Sequence, residues 1–275
     1  MTNLLDEMRQ SSMERVRQAR QRESVAELER RAAQVPAAPA LALSAAGFDV
    51  IAELKLRSPA AGVLKDAAHD WRGRVAAYAR AGAAAVSVLT EPTRFDGSLD
   101  HLEQAARVLA PLGVPAMRKD FLVDPYQVLE ARAAGAGGVL IIVRMLSQSG
   151  ALELLDAAAE QGMFVLLEAF DAGDLERAGR LLGGRQSRRG VVLVGINCRD
   201  LVSLRVDPRR FADLAPALPR AAVAVAESGV ATPADAAAMR RLGYGAALIG
   251  TALMTRDDPA ALLAEILSAA RTVQR

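Results

Sequence analysis

Short apolar runs recur along this chain at intervals of roughly 23 to 35 residues, and amphipathic helical patterns separate them. Continuous apolar strands that alternate with helices are typical of a parallel sheet buried on both faces. Eight such runs favour closure into a barrel over an open sheet. The predicted strands are Val50 to Ala52, Ala84 to Leu89, Val114 to Met117, Val139 to Val143, Met163 to Leu167, Val191 to Ile196, Val223 to Ala226 and Ala246 to Ile249.

The predicted fold class is therefore α/β, a single (β/α)8 TIM barrel that occupies residues 1–275 as one domain. Residues 1–48 precede the repeat and carry widely spaced apolar residues among many arginines and glutamates. This pattern predicts an N-terminal helical extension packed on the barrel. Four predicted helices end at a glycine, as expected of left-handed helix C-caps: Gly82, Gly135, Gly162 and Gly243.

Composition excludes several classes of function. The chain has 34 basic and 32 acidic residues, a net charge of +2, so no basic stripe indicates a nucleic-acid partner. Its one cysteine, Cys198, and its two histidines are not arranged as metal ligands. No apolar stretch has the length of a membrane span or the form of a signal peptide. We expect a cytoplasmic protein without a membrane partner, and a monomer or at most a weak homodimer.

Polar and charged residues follow nearly every predicted strand, where barrels of this class place their active sites. Glu53 and Lys55 alternate to the same side of the first strand, either as an acid and a base in one pocket or as a salt bridge that closes the barrel end. Lys119 ends the third run and is a candidate general acid, phosphate ligand or Schiff-base amine. The alternative is a solvated charged triplet, with Arg118 and Asp120 directed outward.

Further candidates follow the later strands. Glu168 comes directly after a wholly apolar run and is a candidate general base. Asn197 and Arg199 lie on one side of the sixth strand end, where an amide and a guanidinium can hold a carboxylate. Glycine with serine or threonine after the seventh and eighth strands is the familiar phosphate site of this fold. The predicted anion-binding and phosphate-binding residues are Ser58, Ser228, Gly229, Gly250 and Thr251.

Taken in order, the motifs of this chain resemble those of the indole-3-glycerol phosphate synthase family over about residues 4 to 270. They are Glu53-Leu54-Lys55, Ser58-Pro59, Ser87-Val88-Leu89-Thr90, Phe95-Asp96-Gly97-Ser98, Arg118-Lys119-Asp120-Phe121, Asp124-Pro125-Tyr126-Gln127, Glu168, Asn197-Cys198-Arg199-Asp200-Leu201 and Glu227-Ser228-Gly229. The resemblance implies decarboxylating, dehydrating closure of 1-(2-carboxyphenylamino)-1-deoxyribulose 5-phosphate to indole-3-glycerol phosphate in tryptophan biosynthesis. It implies a small phosphorylated substrate and neither cofactor nor metal.

The same resemblance implies a role for each site residue. Lys119 would protonate the ribulose carbonyl, and Glu168 would be the base that assists loss of the hydroxyl as water. Lys55 would hold the substrate carboxylate and serve as a second acid. Glu53 would orient the lysines and the substrate, with Asn197, Arg199 and Glu227 completing the polar pocket, while the five anion-binding residues would hold the phosphate.

The chain departs from the family pattern at Leu56, Ala60, Arg94 and the Ala169-Phe170 pair, and Leu56, Arg94 and Phe170 are the departures that bear on the substrate. They leave open a paralogue that acts on a ring-substituted anthranilate derivative. Two other classes also stay open at this point. One is a Schiff-base aldolase that uses Lys119 or Lys55, and the other is a barrel retained only for binding. Arg144, at the end of the fourth run, has no predicted role.

Overall fold

The computed structural model describes residues 4–58, 62–63, 70–183, 190–200 and 203–273, with the side chains of residues 58 and 63 excepted. Its barrel strands are β1 (Asp49–Leu54), β2 (Ala85–Leu89), β3 (Ala116–Lys119), β4 (Gly138–Ile142), β5 (Phe164–Ala169), β6 (Val192–Asn197), β7 (Val223–Glu227) and β8 (Ala246–Ile249). Each strand pairs in parallel with its neighbour along the chain, and β8 pairs with β1. The closed eight-stranded barrel confirms the predicted fold class.

Helices cover the outside of the barrel. They are α1 (Leu4–Arg22), α2 (Val25–Gln34), α3 (Trp71–Arg80), α4 (Pro92–Phe95), α5 (Leu99–Leu109), α6 (Pro125–Ala133), α7 (Gln148–Glu160), α8 (Ala172–Gly183), α9 (Arg209–Leu214), α10 (Pro233–Arg241), α11 (Thr251–Met254) and α12 (Pro259–Arg271). After β1, residues 57–58 and 62–63 form a short antiparallel ribbon. Within the described residues, no helix combines the length and apolar character needed to cross a membrane.

The alternation of side chains along each strand produces two apolar layers. Residues such as Ile51, Leu140 and Leu166 point into the barrel and fill its interior. Their neighbours, such as Val50 and Ile141, point outward and pack under the helices. Full burial of one such side chain contributes about 1.5–3 kcal/mol. The lower barrel is therefore a packed core, and only the C-terminal end of the strands is open for a site.

Several strand boundaries differ from the apolar runs that predicted them. β1 and β5 extend through Glu53 and Glu168, so both carboxylates lie within the sheet and not after it. β3 starts two residues later than its run and ends on Lys119. The predicted glycine C-caps are confirmed by positive φ angles of 67° to 100° at the four positions, where a side chain would be strained.

The N-terminal extension consists of α1 and α2, and both lie against the barrel. The Ser24 hydroxyl accepts a hydrogen bond from the Glu27 backbone N–H, and the Glu27 carboxylate accepts one from the Ser24 backbone N–H, which is a capping box at the start of α2. Leu28 packs with Tyr126 in a small apolar cluster. The Ser12 hydroxyl of α1 donates to the carbonyl of Phe121, beyond β3. The extension is therefore attached to the segment that follows Lys119.

Candidate active site

A cavity of about 430 Å³ opens at the C-terminal ends of the barrel strands. Every predicted site residue except Ser58 lines it, and the side chain of Ser58 lies outside the described part of the chain. The polar lining comes from β1, β3, β5, β6 and β7 and from the turns after β7 and β8. It comprises Glu53, Lys55, Lys119, Asp120, Glu168, Asn197, Arg199, Glu227, Ser228, Gly229, Gly250 and Thr251.

Glu53 and Lys55 form an ion pair, as their alternation on β1 predicted. Lys55 Nζ lies 3.0 Å from Glu53 Oε1 and 3.3 Å from Thr251 Oγ1. Burial alone would raise the pKa of Glu53, but the charges of Lys55 and Lys119 lower it below its ordinary value. A Cβ at Gly250 would lie 2.3 Å from Glu53 Oε1. The glycine at this position therefore leaves the space that the Glu53 carboxylate occupies.

Lys119 and Glu168 form the second ion pair of the cavity, with Nζ 3.3 Å from Oε2. Burial disfavours the charged ammonium, but Glu168, Glu227 and Glu53 outweigh this effect and raise the pKa of Lys119 above its ordinary value. Lys119 is thus protonated at neutral pH. A protonated amine is the form that a general acid needs, and it is not the nucleophilic form that a Schiff base needs.

Glu227 is the most unusual group of the cavity. It is 1% exposed, and neither carboxyl oxygen receives a hydrogen bond from an N–H or O–H donor of the described residues. Burial and the negative charge of Glu168 raise the pKa of Glu227 well above its ordinary value. A Cβ at Gly195 of β6 would lie 1.9 Å from Glu227 Oε1. The Glu227 carboxyl therefore depends on a glycine in the neighbouring strand.

Asn197 and Arg199 both reach the cavity from the end of β6, as predicted. The Asn197 side-chain oxygen accepts the Arg199 backbone N–H at 2.9 Å, and the Arg199 guanidinium donates to the Leu204 carbonyl at 2.9 Å. Between them, Cys198 is buried, and its burial raises the pKa of the thiol to about 12. The cysteine is therefore inert, and the amide and the guanidinium are the polar groups of this turn.

The turn after β7 has an uncommon backbone. Ser228 has φ 61° and Gly229 has φ 109°, so two successive residues are in the left-handed region. At the end of the neighbouring strand β8, Gly250 precedes the short helix α11, which begins at Thr251. Glycine-containing turns and helix starts are places where backbone N–H groups bind anions in other proteins. The candidate phosphate-binding residues therefore lie together at the ends of two adjacent strands.

Arg118 and Asp120 flank Lys119, and neither of them is solvated. Each is 2% exposed. Arg118 donates to the Gln127 carbonyl at 2.7 Å and contacts Asp120 at 3.1 Å, and Arg15 of α1 contacts the other Asp120 oxygen at 2.8 Å. The alternative of a solvated triplet is wrong, because helices α1 and α6 cover this face and both charges are paired.

Three polar residues at the predicted barrel rim are not part of the cavity lining. Thr90 donates to Asp120 at 2.7 Å, and Glu91 caps helix α4 through the Arg94 backbone at 2.7 Å. Arg144 pairs with Asp174 at 2.7 Å and lies 4.6 Å from the ring centre of Phe170. All three hold loops next to the cavity. Arg144, which had no predicted role, therefore has a structural one.

Sequence reasoning missed the apolar wall of the cavity and the role of Gly195. The wall is formed mainly by β2, β3 and β4 and their loops, and includes Leu89, Phe95, Phe121, Leu140 and Ile142. In the sequence, this wall is indicated by bulky apolar residues at the alternate strand positions that point into the barrel. The signal for Gly195 was a glycine inside an apolar strand, which marks a close approach by another group. Leu56, Arg94 and Phe170, the departures from the family pattern that bear on the substrate, are not in the described lining.

A closed parallel barrel with paired acids and bases and an apolar wall at its C-terminal end defines an enzyme of the (β/α)8-barrel class. Comparison with known proteins specifies the family. The family model described as indole-3-glycerol phosphate synthase matches residues 5–266. The chain belongs to the indole-3-glycerol phosphate synthase family.

Curated relatives agree with this assignment. The indole-3-glycerol phosphate synthase of Mycobacterium tuberculosis is 42% identical over 250 residues, which are 90% of this chain and 88% of the relative. That of Mycobacterium leprae is 41% identical over 248 residues, covering 90% and 87%. Among solved structures, 3-hexulose-6-phosphate synthase from Salmonella typhimurium has a TM-score of 0.60 at 15% identity and covers 81% of this chain and 98% of its own. This likeness shows the fold alone.

Proposed function

We propose that this protein closes the pyrrole ring of indole-3-glycerol phosphate in tryptophan biosynthesis. Its substrate is 1-(2-carboxyphenylamino)-1-deoxyribulose 5-phosphate, and its products are indole-3-glycerol phosphate, carbon dioxide and water. The observation that carries the proposal is the Lys119–Glu168 pair inside a cavity of about 430 Å³. The pair supplies an acid held in its protonated form next to a carboxylate, which this reaction requires.

The two ends of the cavity match the two ends of the substrate. The anionic phosphate fits the turn at Ser228 and Gly229 and the α11 start at Thr251, which lie at the ends of two adjacent strands. The carboxyphenyl ring fits the apolar wall around Phe121 and Ile142. Its carboxylate then lies within reach of the positively charged Lys55. In this orientation the ketone of the substrate's ribulose part lies at the centre of the cavity, between β3 and β5.

The first stage of the reaction is ring closure. The ring carbon that bears the carboxylate attacks the ketone carbon, a carbon–carbon bond forms, and Lys119 donates a proton to the carbonyl oxygen. The carbon–carboxylate bond then breaks, and its electron pair restores the aromatic ring as carbon dioxide leaves. Lys119 loses one proton in this stage and afterwards takes up another from solvent. The second stage removes the new hydroxyl as water, with Glu168 as the base.

The test follows indole fluorescence after the carboxyphenylamino substrate is added to the purified protein. Wild type should form product, whereas Lys119→Ala and Glu168→Gln should each lose about 10²- to 10⁴-fold in kcat, the range for a positioned acid or base. Glu176→Gln is the matched control because Glu176 is exposed and pairs only with Arg180 among the described ion pairs. Absence of indole product from wild type, or near-full activity in either cavity variant, would refute the proposal.

The alternatives receive less support. The charged state of Lys119 disfavours a Schiff-base aldolase, and borohydride treatment with a ketose phosphate should trap no adduct. Arg94 pairs with Glu7 of α1 and Phe170 packs beneath Arg144, so neither supports a cavity altered for a substituted anthranilate. Comparison of turnover between substituted and unsubstituted substrates tests that alternative. A cytoplasmic, monomeric, single-domain enzyme that needs no cofactor or metal stays a prediction.

A further inference from the structure

Glu227 is a buried acid that the proposed ring closure does not use. Both of its oxygens are enclosed, and no donor group of the described residues reaches them. An ionised carboxylate in such a place is strongly disfavoured unless a charge or a hydrogen bond compensates for its lost hydration. Glu227 Oε1 lies over Gly195 of β6, and Gly195 lies directly beside Glu168 of β5, so the two acidic side chains face the same part of the cavity. Two neighbouring carboxyl groups avoid this penalty when they share one proton.

The charges around Glu227 leave it without a cation of its own. Lys119 of β3 pairs with Glu168 of β5, and Lys55 of β1 pairs with Glu53. The guanidinium of Arg199, after β6, donates to a backbone carbonyl of its own turn. Each cation that faces this part of the cavity is thus engaged elsewhere. The three cations equal the three carboxylates in number, but no ion pair of the described residues reaches Glu227, so its burial favours the neutral, protonated form.

We propose that Glu227 carries a proton in the unliganded protein, shares it with Glu168, and donates it to the leaving hydroxyl in the dehydration stage. This inference rests on the proposed function and deepens it, because it names the acid that acts after carbon dioxide has left. Lys119 serves the first stage, and the Glu227–Glu168 pair serves the second. Gly195 is the positioning residue that leaves room for the Glu227 carboxyl.

The proton balance of the second stage favours such a pair. The carbon–oxygen bond to the hydroxyl breaks, its electrons leave with the oxygen, and the proton of Glu227 converts it to water. Glu168 removes a proton from the neighbouring ring methylene, and those C–H electrons form the C=C bond of the indole. Glu168 then returns the proton to Glu227. The resting state is restored without exchange with solvent.

The protonation state is tested without reference to activity. Infrared difference spectra of unliganded wild type minus Glu227→Gln, at pH 7, should show the C=O band of a protonated carboxylic acid. The same subtraction with Glu176→Gln, at an exposed glutamate, should show none. A wild-type-minus-Glu227→Gln spectrum that contains only ionised carboxylate bands would overturn the proposal, whatever the enzyme does with its substrate.

The catalytic part is tested by single-turnover kinetics that follow carbon dioxide and indole separately. Glu227→Gln should release carbon dioxide at nearly the wild-type rate and form indole about 10²- to 10⁴-fold more slowly, the range for loss of a general acid. Lys119→Ala should slow both products together. Equal slowing of both in Glu227→Gln, or wild-type indole formation, would refute the assignment. Failure of wild type to form indole at all would refute the proposed function and not the protonation state.

Discussion

Gly195→Ala is the sharpest structural test of the site, because it adds one methyl group to the barrel interior without replacing any ionisable residue. Gly195 lies in β6 beside Glu168 of β5 and Val225 of β7. It does not have a positive φ, so an alanine backbone is unstrained there. The substitution therefore acts through space alone. It displaces the Glu227 carboxyl while it leaves every charge of the cavity in the chain.

The size of the effect follows from the geometry. The added Cβ would lie 1.9 Å from Glu227 Oε1, and contacts under 3.0 Å do not occur in real structures, so the carboxyl must move by about 1 Å. Overpacking of this kind costs about 1–3 kcal/mol, here near the low end because the obstructing atom ends a flexible side chain. The effect on catalysis is larger, since a misplacement of about 1 Å costs about 10²-fold in rate.

The assay compares kcat, KM and Tm with those of Gly179→Ala, a matched control in α8 where a Cβ meets nothing within 4 Å. Gly195→Ala should lose about 10²-fold in kcat with little change in KM, and its Tm should fall by about 2–4 °C per kcal/mol. The control should keep wild-type activity. A folded Gly195→Ala protein with wild-type kcat would show that the position of Glu227 does not matter for the reaction.

Three further predictions concern charge and capping. Lys119→Arg keeps the charge but not a proton that can be released, so kcat should fall at least about 10²-fold; an unchanged kcat would contradict its role as acid. Asp120→Asn leaves Arg15 and Arg118 with unpaired charge and should lower the free energy of unfolding by about 3–5 kcal/mol at pH 7. Burial opposes ionisation of Asp120, yet these arginines lower its pKa in the folded protein. Ionised Asp120 therefore stabilises the fold above the unfolded pKa of about 3.9, and this stabilisation declines as the pH falls below that value. Urea unfolding should show a smaller difference in the free energy of unfolding between wild type and Asp120→Asn at pH 3 than at pH 7. Ser24→Ala should cost about 1 kcal/mol in thermal unfolding, and no loss would contradict the capping box.

Most of the fold could be predicted from sequence because it depends on local periodicity. The apolar runs alternate regularly with helical patterns, and four of the helices are followed by a glycine with a positive φ. The ends of the strands were harder to predict, because they depend on hydrogen bonding between strands and hydrophobicity does not determine them. Glu53 and Glu168 show this: their polarity ended the predicted runs, whereas pairing with Ser87 and Ile142 keeps both in the sheet.

The predicted site residues come together because all of them follow parallel strands whose ends meet. What the sequence could not supply was the contact between groups on different strands. The role of Gly195 depends on where a side chain from β7 lies, and the burial of Asp120 depends on helix α1, which is more than 100 residues away in the chain. The protonation of Glu227 depends on charges from three other strands. Features of this kind depend on the register of the strands in the folded barrel, which the pattern of apolar and polar residues along the sequence does not specify.

The use of lysine in this chain agrees with the proposed chemistry. The sequence has three lysines against 31 arginines. Among the ion pairs of the described residues, lysine takes part only in Lys55–Glu53 and Lys119–Glu168, and both lie in the cavity. The structural pairs around them, such as Arg15–Asp120 and Arg144–Asp174, use arginine. Arginine holds a carboxylate well but keeps its proton at any physiological pH, whereas a lysine amine can release one. Among the described ion pairs, lysine therefore occurs in the cavity, where Lys119 must release a proton, and arginine occurs in the surrounding pairs, where a charge must only stay in place.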